Sequence, residues 1–234
     1  MSPQLSLISP QVPLWRVGRR PEPWAWTPWE YSGGARWDDA EGNFRTVYAA
    51  ESRFACFVEL LATYRPDPAV AAVMADIVVD PDDAKEFPTR LAGEIPRNWV
   101  DRHLISSAFV DGQYCDMTTA ETIAALRPTF IAAALEAGLA DFDAAALKNS
   151  SPRQLTQSVA TFLYQIEGDD RLLDGLRFGS RFGDELSVWA IFERPADEPF
   201  SRQLRIQTED EIARADPDIK RAMNLHGLVW EPRD

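Results

Sequence analysis

The spacing of apolar residues changes period near position 51. RTVYAA, residues 45–50, has the β-branched and aromatic density of a short strand, whereas Phe54, Phe57, Val58 and Leu61 recur at i, i+3, i+4 and i+7. This predicts a strand followed at once by a helix that Ser52 caps and that runs to about Tyr64. At about 100° per residue Glu59 falls about 140° from Phe54, beside Ala55 and Ala62, on a flank that can look into a cleft. Arg65, Pro66, Asp67 and Pro68 end the helix.

The same reading extends in both directions. Residues 1–13 carry no period and predict a lead or an edge, and Leu14–Val17 predict the first strand, which carries Arg16. PEPWAWTPWEY, residues 21–31, is too rich in proline for a helix and predicts an ordered aromatic loop. Its tryptophans either stack on a flat ligand or, as is commoner, cover the core. VAAVMADIVV, 69–78, fits a helix or a helix passing into a strand. Thr118 with Glu121 reads as a capping box opening a helix that Pro128 interrupts or kinks and that stops near Gly138, and Ser151, Pro152 and Gln154 as the start of a helix over 152–166. DGLRFGSRFGDELSVWAIFE, 174–193, predicts two strands around a glycine-rich turn, with LSVWAIF as a buried central strand. Gln203–Gln207 adds a strand, and Thr208 with Glu211 is read as capping a short final helix that ends before Pro217. The expected fold is α+β, with mixed, mainly antiparallel sheets and flanking helices. It forms one domain over 14–195, with 1–13 and 196–234 as its extensions.

Composition narrows the function. The 234 residues, 45% hydrophobic, suffice for one sizeable core. A formal charge of −13 argues against a direct nucleic-acid surface, since such footprints are basic. No stretch approaches the ~20 apolar residues of a membrane span, and the opening residues lack the features of a signal peptide, so a cytoplasmic protein is expected. Cys56 and Cys115 match no disulfide framework or zinc spacing, and His103 has no second ligand near it, so no metal is expected.

Dinucleotide-fold, phosphate-loop, zinc-protease and serine-elbow signatures are absent. What remains is a set of groups suited to an anionic, sugar-bearing ligand. Gly33 and Gly34 allow close backbone approach just before Arg36, Tyr48 lies on the strand and Glu59 on the helix. Arginines can fork onto a pyrophosphate, an aromatic ring can stack on a heterocycle, and a carboxylate can stabilise a positive ribosyl carbon. Spacing alone does not select the ligand.

The chain resembles the RES domain family, named for an arginine, a glutamate and a serine. The resemblance lies in LWRV (14–17), GARWDDAEGNFRTVYAAESRFACFVELL (34–61) and GLRFGSRFGDELSVWAIF (175–192). It implies a fold like the diphtheria-toxin-like ADP-ribosyltransferases and a toxin of a bacterial toxin–antitoxin pair that consumes NAD as a substrate. Carried over, it makes Arg16 and Arg36 NAD-binding arginines, Tyr48 the ring beside nicotinamide, Glu59 the catalytic carboxylate and Ser180 the family serine, all five lining one cleft. Some members have an aromatic where Val17 stands, which moves the expected stacking to Trp37 or the 24–29 loop. An antitoxin with a helix-turn-helix DNA-binding domain is the implied partner. Hydrolysis, phosphorolysis, protein ADP-ribosylation and a non-catalytic antitoxin-binding role stay open, as does a homo-oligomer.

Overall fold

The computed structural model describes residues 4–67, 92–149, 151–166 and 172–233. The reading of 69–78 lies outside these. The architecture is α+β. An eight-stranded sheet is formed by β1 (Leu7–Ile8), β2 (Leu14–Arg19), β3 (Thr46–Ala50), β5 (His103–Val110), β6 (Tyr114–Asp116), β7 (Gly175–Ser180), β8 (Gly183–Phe192) and β9 (Leu204–Glu211). Their order is β1-β6-β7-β8-β3-β2-β5-β9. The β6/β7 pair is parallel and every other neighbouring pair is antiparallel. A small parallel pair joins β4 (Glu94–Ile95) to β10 (Val229–Trp230). The lead thus supplies an edge strand, and LSVWAIF lies in an interior strand between β7 and β3.

Five helices flank the sheets among the described residues: α1 (Arg53–Leu61), α2 (Ala120–Glu136), α3 (Ala144–Lys148), α4 (Arg153–Tyr164) and α5 (Pro217–His226). α1 starts where its sequence predicts, the Ser52 hydroxyl accepting from the Ala55 N–H at 3.2 Å, and its last turn tightens to a 3-10 helix over Ala62–Tyr64. Ala55, Phe57, Val58 and Leu61 bury against Ile219, Ala222 and Met223 of α5 and the neighbouring strands. Arg53 reinforces this contact by an ion pair with Asp216, 2.5 Å. α3 and α4 pack with α2 on a separate core that includes Trp37, Phe178 and Phe192.

Three local expectations are corrected. Thr208–Glu211 is strand, because it continues the β9 ladder, Ser107 facing Thr208 and Ile105 facing Asp210, and pairing with β5 overrides the local capping pattern. The final helix instead begins at Pro217, whose missing N–H costs nothing in a first turn; Asp216 caps it and Gly227 ends it at φ +67. At α2 the cap is Thr119, one residue later than predicted, because Asp116 draws the Thr118 hydroxyl away at 2.6 Å; Pro128 lies inside an uninterrupted helix. At α4 the helix starts at Arg153, one residue later than predicted, and its cap is Pro152, with no side-chain cap bond, instead of Ser151.

Trp24 and Trp26 are buried with Val47, Trp189 and Ile191, so they cover the core, whereas Trp29 is half exposed beneath Arg45. His103 stacks on Trp99 at 4.4 Å and donates to its carbonyl, which makes it a packing residue.

Gly18 lets the tryptophan loop lie against β2. A Cβ there would overlap the carbonyl and Cα of Pro23. We expect Gly18→Ala to cost about 1–3 kcal/mol, as overpacking does. A lowered denaturant midpoint checks this, and an unchanged midpoint would show that the loop can shift freely.

Candidate active site

The sheet ladder between β2 and β3 consists of one position, Trp15 opposite Ala50. Where pairing stops, the polar groups of the two strands need other partners. Arg16 fills that role, donating from Nη1 to the Tyr48 carbonyl at 2.8 Å and from Nε to the Pro23 carbonyl at 2.7 Å. Burial lowers its pKa to about 10, offset in part by Cys56 and Tyr48, so the guanidinium stays cationic at neutral pH.

Beside this break lies a cavity of about 730 Å³, within the range of about 300–1,000 Å³ common for ligand sites. Arg16, Arg36, Tyr48 and Glu59 all line it, together with Phe178, Arg181 and Phe182 from the β7–β8 hairpin and Arg153 from α4. Ser180 does not line it. Its buried hydroxyl accepts from the Phe182 N–H at 2.9 Å and so fixes the turn that carries Arg181 and Phe182. Neither Trp37 nor the tryptophans of the 24–29 loop line the cavity, so the aromatic surface offered to a ligand comes from Phe178, Phe182 and Tyr48.

Arg36 and Glu59 face the cavity with unmet hydrogen-bonding capacity. Arg36 Nη1 and Glu59 Oε1 are both buried and have no hydrogen-bond partner among the described residues. Arg36 lies over the Phe178 ring at 5.6 Å, and no carboxylate is within ion-pair distance of it among the described residues. Desolvation lowers the Arg36 pKa, and Glu59 offsets part of this at long range without neutralising the guanidinium by contact. Buried polar groups are normally paired. A ligand that accepts from Arg36 and meets the Glu59 carboxylate would satisfy both.

The loop carrying Arg36 is held by residues that sequence reading did not select. Asp38 accepts from the Tyr48 hydroxyl at 2.8 Å through one oxygen and from the Ala35 N–H at 2.8 Å through the other. The Tyr48 hydroxyl also accepts from the Trp37 N–H at 3.0 Å. Burial, and then Asp38, push the Tyr48 pKa well above its usual value, so the phenol stays neutral. From α4, Gln157 donates to the Gly33 and Ala35 carbonyls at 2.9 and 3.1 Å, Arg153 donates to the Gly34 carbonyl, and Thr161 donates to Asp39 at 2.6 Å. Arg153, Gln157 and Thr161 repeat every four residues, so one helix face forms the clamp. Two signals were available: a buried tyrosine needs a partner, and two acids follow Arg36 closely, at 38 and 39.

Cys56 also lines the cavity, donating to the Trp15 carbonyl at 3.0 Å, and burial pushes its pKa from 9.0 to about 12. A thiol whose folded pKa is raised adds stability that is complete below its unfolded value and disappears as pH rises through the folded one. Stability is therefore expected to fall between pH 9 and about 12, an effect that Cys115, raised likewise, shares. Denaturant midpoints should decline more shallowly over this interval in Cys56→Ala than in the parent; identical slopes would remove Cys56 from the account.

Among the described residues no group of three or more His, Cys, Asp and Glu is arranged to hold a metal ion, and no helix is long and apolar enough to cross a membrane. No curated protein matches the chain in sequence. The crystal structure of the M. tuberculosis MbcT–MbcA toxin–antitoxin complex is similar at a TM-score of 0.46 and 16% identity, covering 94% of this chain and 92% of that one. The RES domain model matches residues 13–211, from the strand bearing Arg16 to the end of β9. The chain belongs to the RES domain family.

Proposed function

We propose that this protein binds NAD in the β2/β3 cavity and cleaves the bond between nicotinamide and ribose, as the toxin of a toxin–antitoxin pair. The observation that carries the reading is the pairing of unneutralised charges at one cavity: Glu59 with an orphan carboxylate oxygen, and Arg36 with an orphan guanidinium nitrogen. NAD presents the matching pattern, a cationic pyridinium-ribose end and an anionic pyrophosphate.

The chemistry is dissociative. The C1′–N bond breaks, its electron pair returns to the pyridinium nitrogen, and neutral nicotinamide leaves. The positive charge then on the ribosyl carbon is stabilised by Glu59, a fixed carboxylate in a partly desolvated site. Arg16 and Arg36 hold the pyrophosphate, Arg36 with its free nitrogen and Arg16 as a fixed cation at the cavity wall. Tyr48, neutral and anchored by Asp38, orients the nicotinamide end. Ser180 acts through the turn it fixes. Water, phosphate or a protein side chain then attacks the ribosyl carbon, which gives hydrolysis, phosphorolysis or ADP-ribosylation.

Purified protein incubated with NAD, free of antitoxin, is expected to release nicotinamide. Assays with and without inorganic phosphate, and with labelled NAD and cell extract, separate the three products. Absence of nicotinamide release under all of these conditions would leave a non-catalytic, antitoxin-binding role. The protein's acidic surface suits a partner that supplies the basic, DNA-binding part of such a pair.

A further inference from the structure

Charge in the cavity exceeds what NAD can neutralise. The cavity is lined by four arginines, Arg16, Arg36, Arg153 and Arg181, and by one carboxylate, Glu59. Elsewhere some arginines meet acids, Arg45 pairing with Glu193, Arg53 with Asp216 and Arg177 with Asp116, while others such as Arg97 and Arg194 donate to backbone carbonyls. None of the four cavity arginines has a carboxylate within ion-pair distance among the described residues. In a chain of net charge −13, this local surplus of cations needs a source of negative charge.

The four divide by depth. Arg16 and Arg36 are half-buried, whereas Arg153 and Arg181 are exposed at the mouth. Arg153 uses one amino group on the Gly34 carbonyl. Arg181 rests over the Phe182 ring at 4.8 Å and has no hydrogen bond among the described residues. Both are near enough to Arg36 to depress its pKa, so the three guanidinium groups form one positive field. Under the function proposed above, on which this step rests, Glu59 answers the pyridinium and Arg16 and Arg36 answer the pyrophosphate. Two guanidinium groups then remain, both exposed and both lining the cavity, for the adenosine half of the ligand to meet.

We infer that Arg153 and Arg181 form a subsite for a phosphomonoester dianion, filled by the 2′-phosphate of the adenosine ribose, so that NADP is the preferred substrate over NAD. A phosphomonoester carries a charge of about −1.5 to −2 at neutral pH, which matches two guanidinium donors, and arginine forks suit its geometry. Free inorganic phosphate has the same chemistry and is the other source to separate.

The test measures binding to the full chain by calorimetry in a buffer free of phosphate, with two ligands that lack nicotinamide and so are not consumed. 2′-Phospho-ADP-ribose is expected to bind about tenfold more tightly than ADP-ribose, the scale of one charge-assisted hydrogen bond of about 1.5 kcal/mol. Arg181→Gln, which breaks no bond within the protein, should reduce that ratio toward unity, and Arg153→Gln should do the same. The ratio should also shrink from pH 7.5 to pH 5 as the phosphate, with its second pKa near about 6, takes up a proton. Equal affinities for the two ligands would overturn the inference, and so would arginine variants that weaken both ligands equally. A gain for ADP-ribose on adding inorganic phosphate, without a gain from the 2′-phosphate, would overturn it in favour of a free-ion site. Failure of the parent protein to release nicotinamide from either dinucleotide would instead strike the proposed function, whatever the binding ratio.

Discussion

Glu59→Gln is expected to reduce nicotinamide release by about 10²–10³-fold, the range seen when one preorganised transition-state contact is removed, with no loss of thermal stability. The two halves of this result come from one feature. Glu59 lies on the flank of α1, half-buried, with Oε1 enclosed and unpartnered among the described residues. A desolvated carboxylate without a partner is a cost to the fold, and the neutral amide of the same shape relieves part of it. The same charge is what a developing cation at the ribosyl carbon needs. Chromatographic assay of nicotinamide beside a thermal melt checks both halves. A variant that loses activity and stability together would mark Glu59 as a structural residue, and one that keeps its activity would remove it from the chemistry.

Asp38→Asn should have the second-largest effect, although Asp38 is absent from the residues that line the cavity. Each of its oxygens accepts from a different donor, the Tyr48 hydroxyl and the Ala35 N–H. Asparagine offers one carbonyl and one amino group, so one of these donors faces another donor. Leaving such a buried group unmet costs about 1–3 kcal/mol. The loss also reaches the site, since Ala35 precedes Arg36 and Tyr48 loses its orientation. A fall in activity of about 10²-fold is expected, the penalty of roughly an ångström of misplacement. Because Asp38 acts through others, Tyr48→Phe in the Asp38→Asn background should add little further loss. If the two losses multiply, the residues act independently and the anchoring account fails.

The parts legible in the sequence are those fixed by neighbours along the chain. The step from RTVYAA to a Ser52-capped helix is local, and its pattern alone puts Tyr48 and Glu59 on adjacent elements. The resemblance brings Arg16 and Ser180 into the account from outside this window. What the sequence hides is set by distant pairing. Thr208–Glu211 carries a sound capping pattern, yet β5 draws it into a strand. Arg153 and Gln157 read as ordinary positions on a covering helix, and gain their role only where that helix meets the glycine loop across more than a hundred residues of sequence. For Ser180 the sequence predicts the turn but not which way the hydroxyl points, and its bond to Phe182 places it behind the cavity wall.

The sheet order has a consequence for the timing of synthesis. Arg16, Arg36, Tyr48 and Glu59 are synthesised well before β8, and β3 acquires that neighbour only when residues near Val188 and Ile191 have been made. Phe178, Arg181 and Phe182, the facing wall, arrive in the same late hairpin. Contacts between such distant segments carry a loop-closure cost and form slowly. A nascent chain that has emerged only through α4 holds every charged group of the proposed chemistry but lacks the facing wall of the enclosure. Under the proposed function, NAD cleavage waits until the β7–β8 hairpin has been made and has docked on β3.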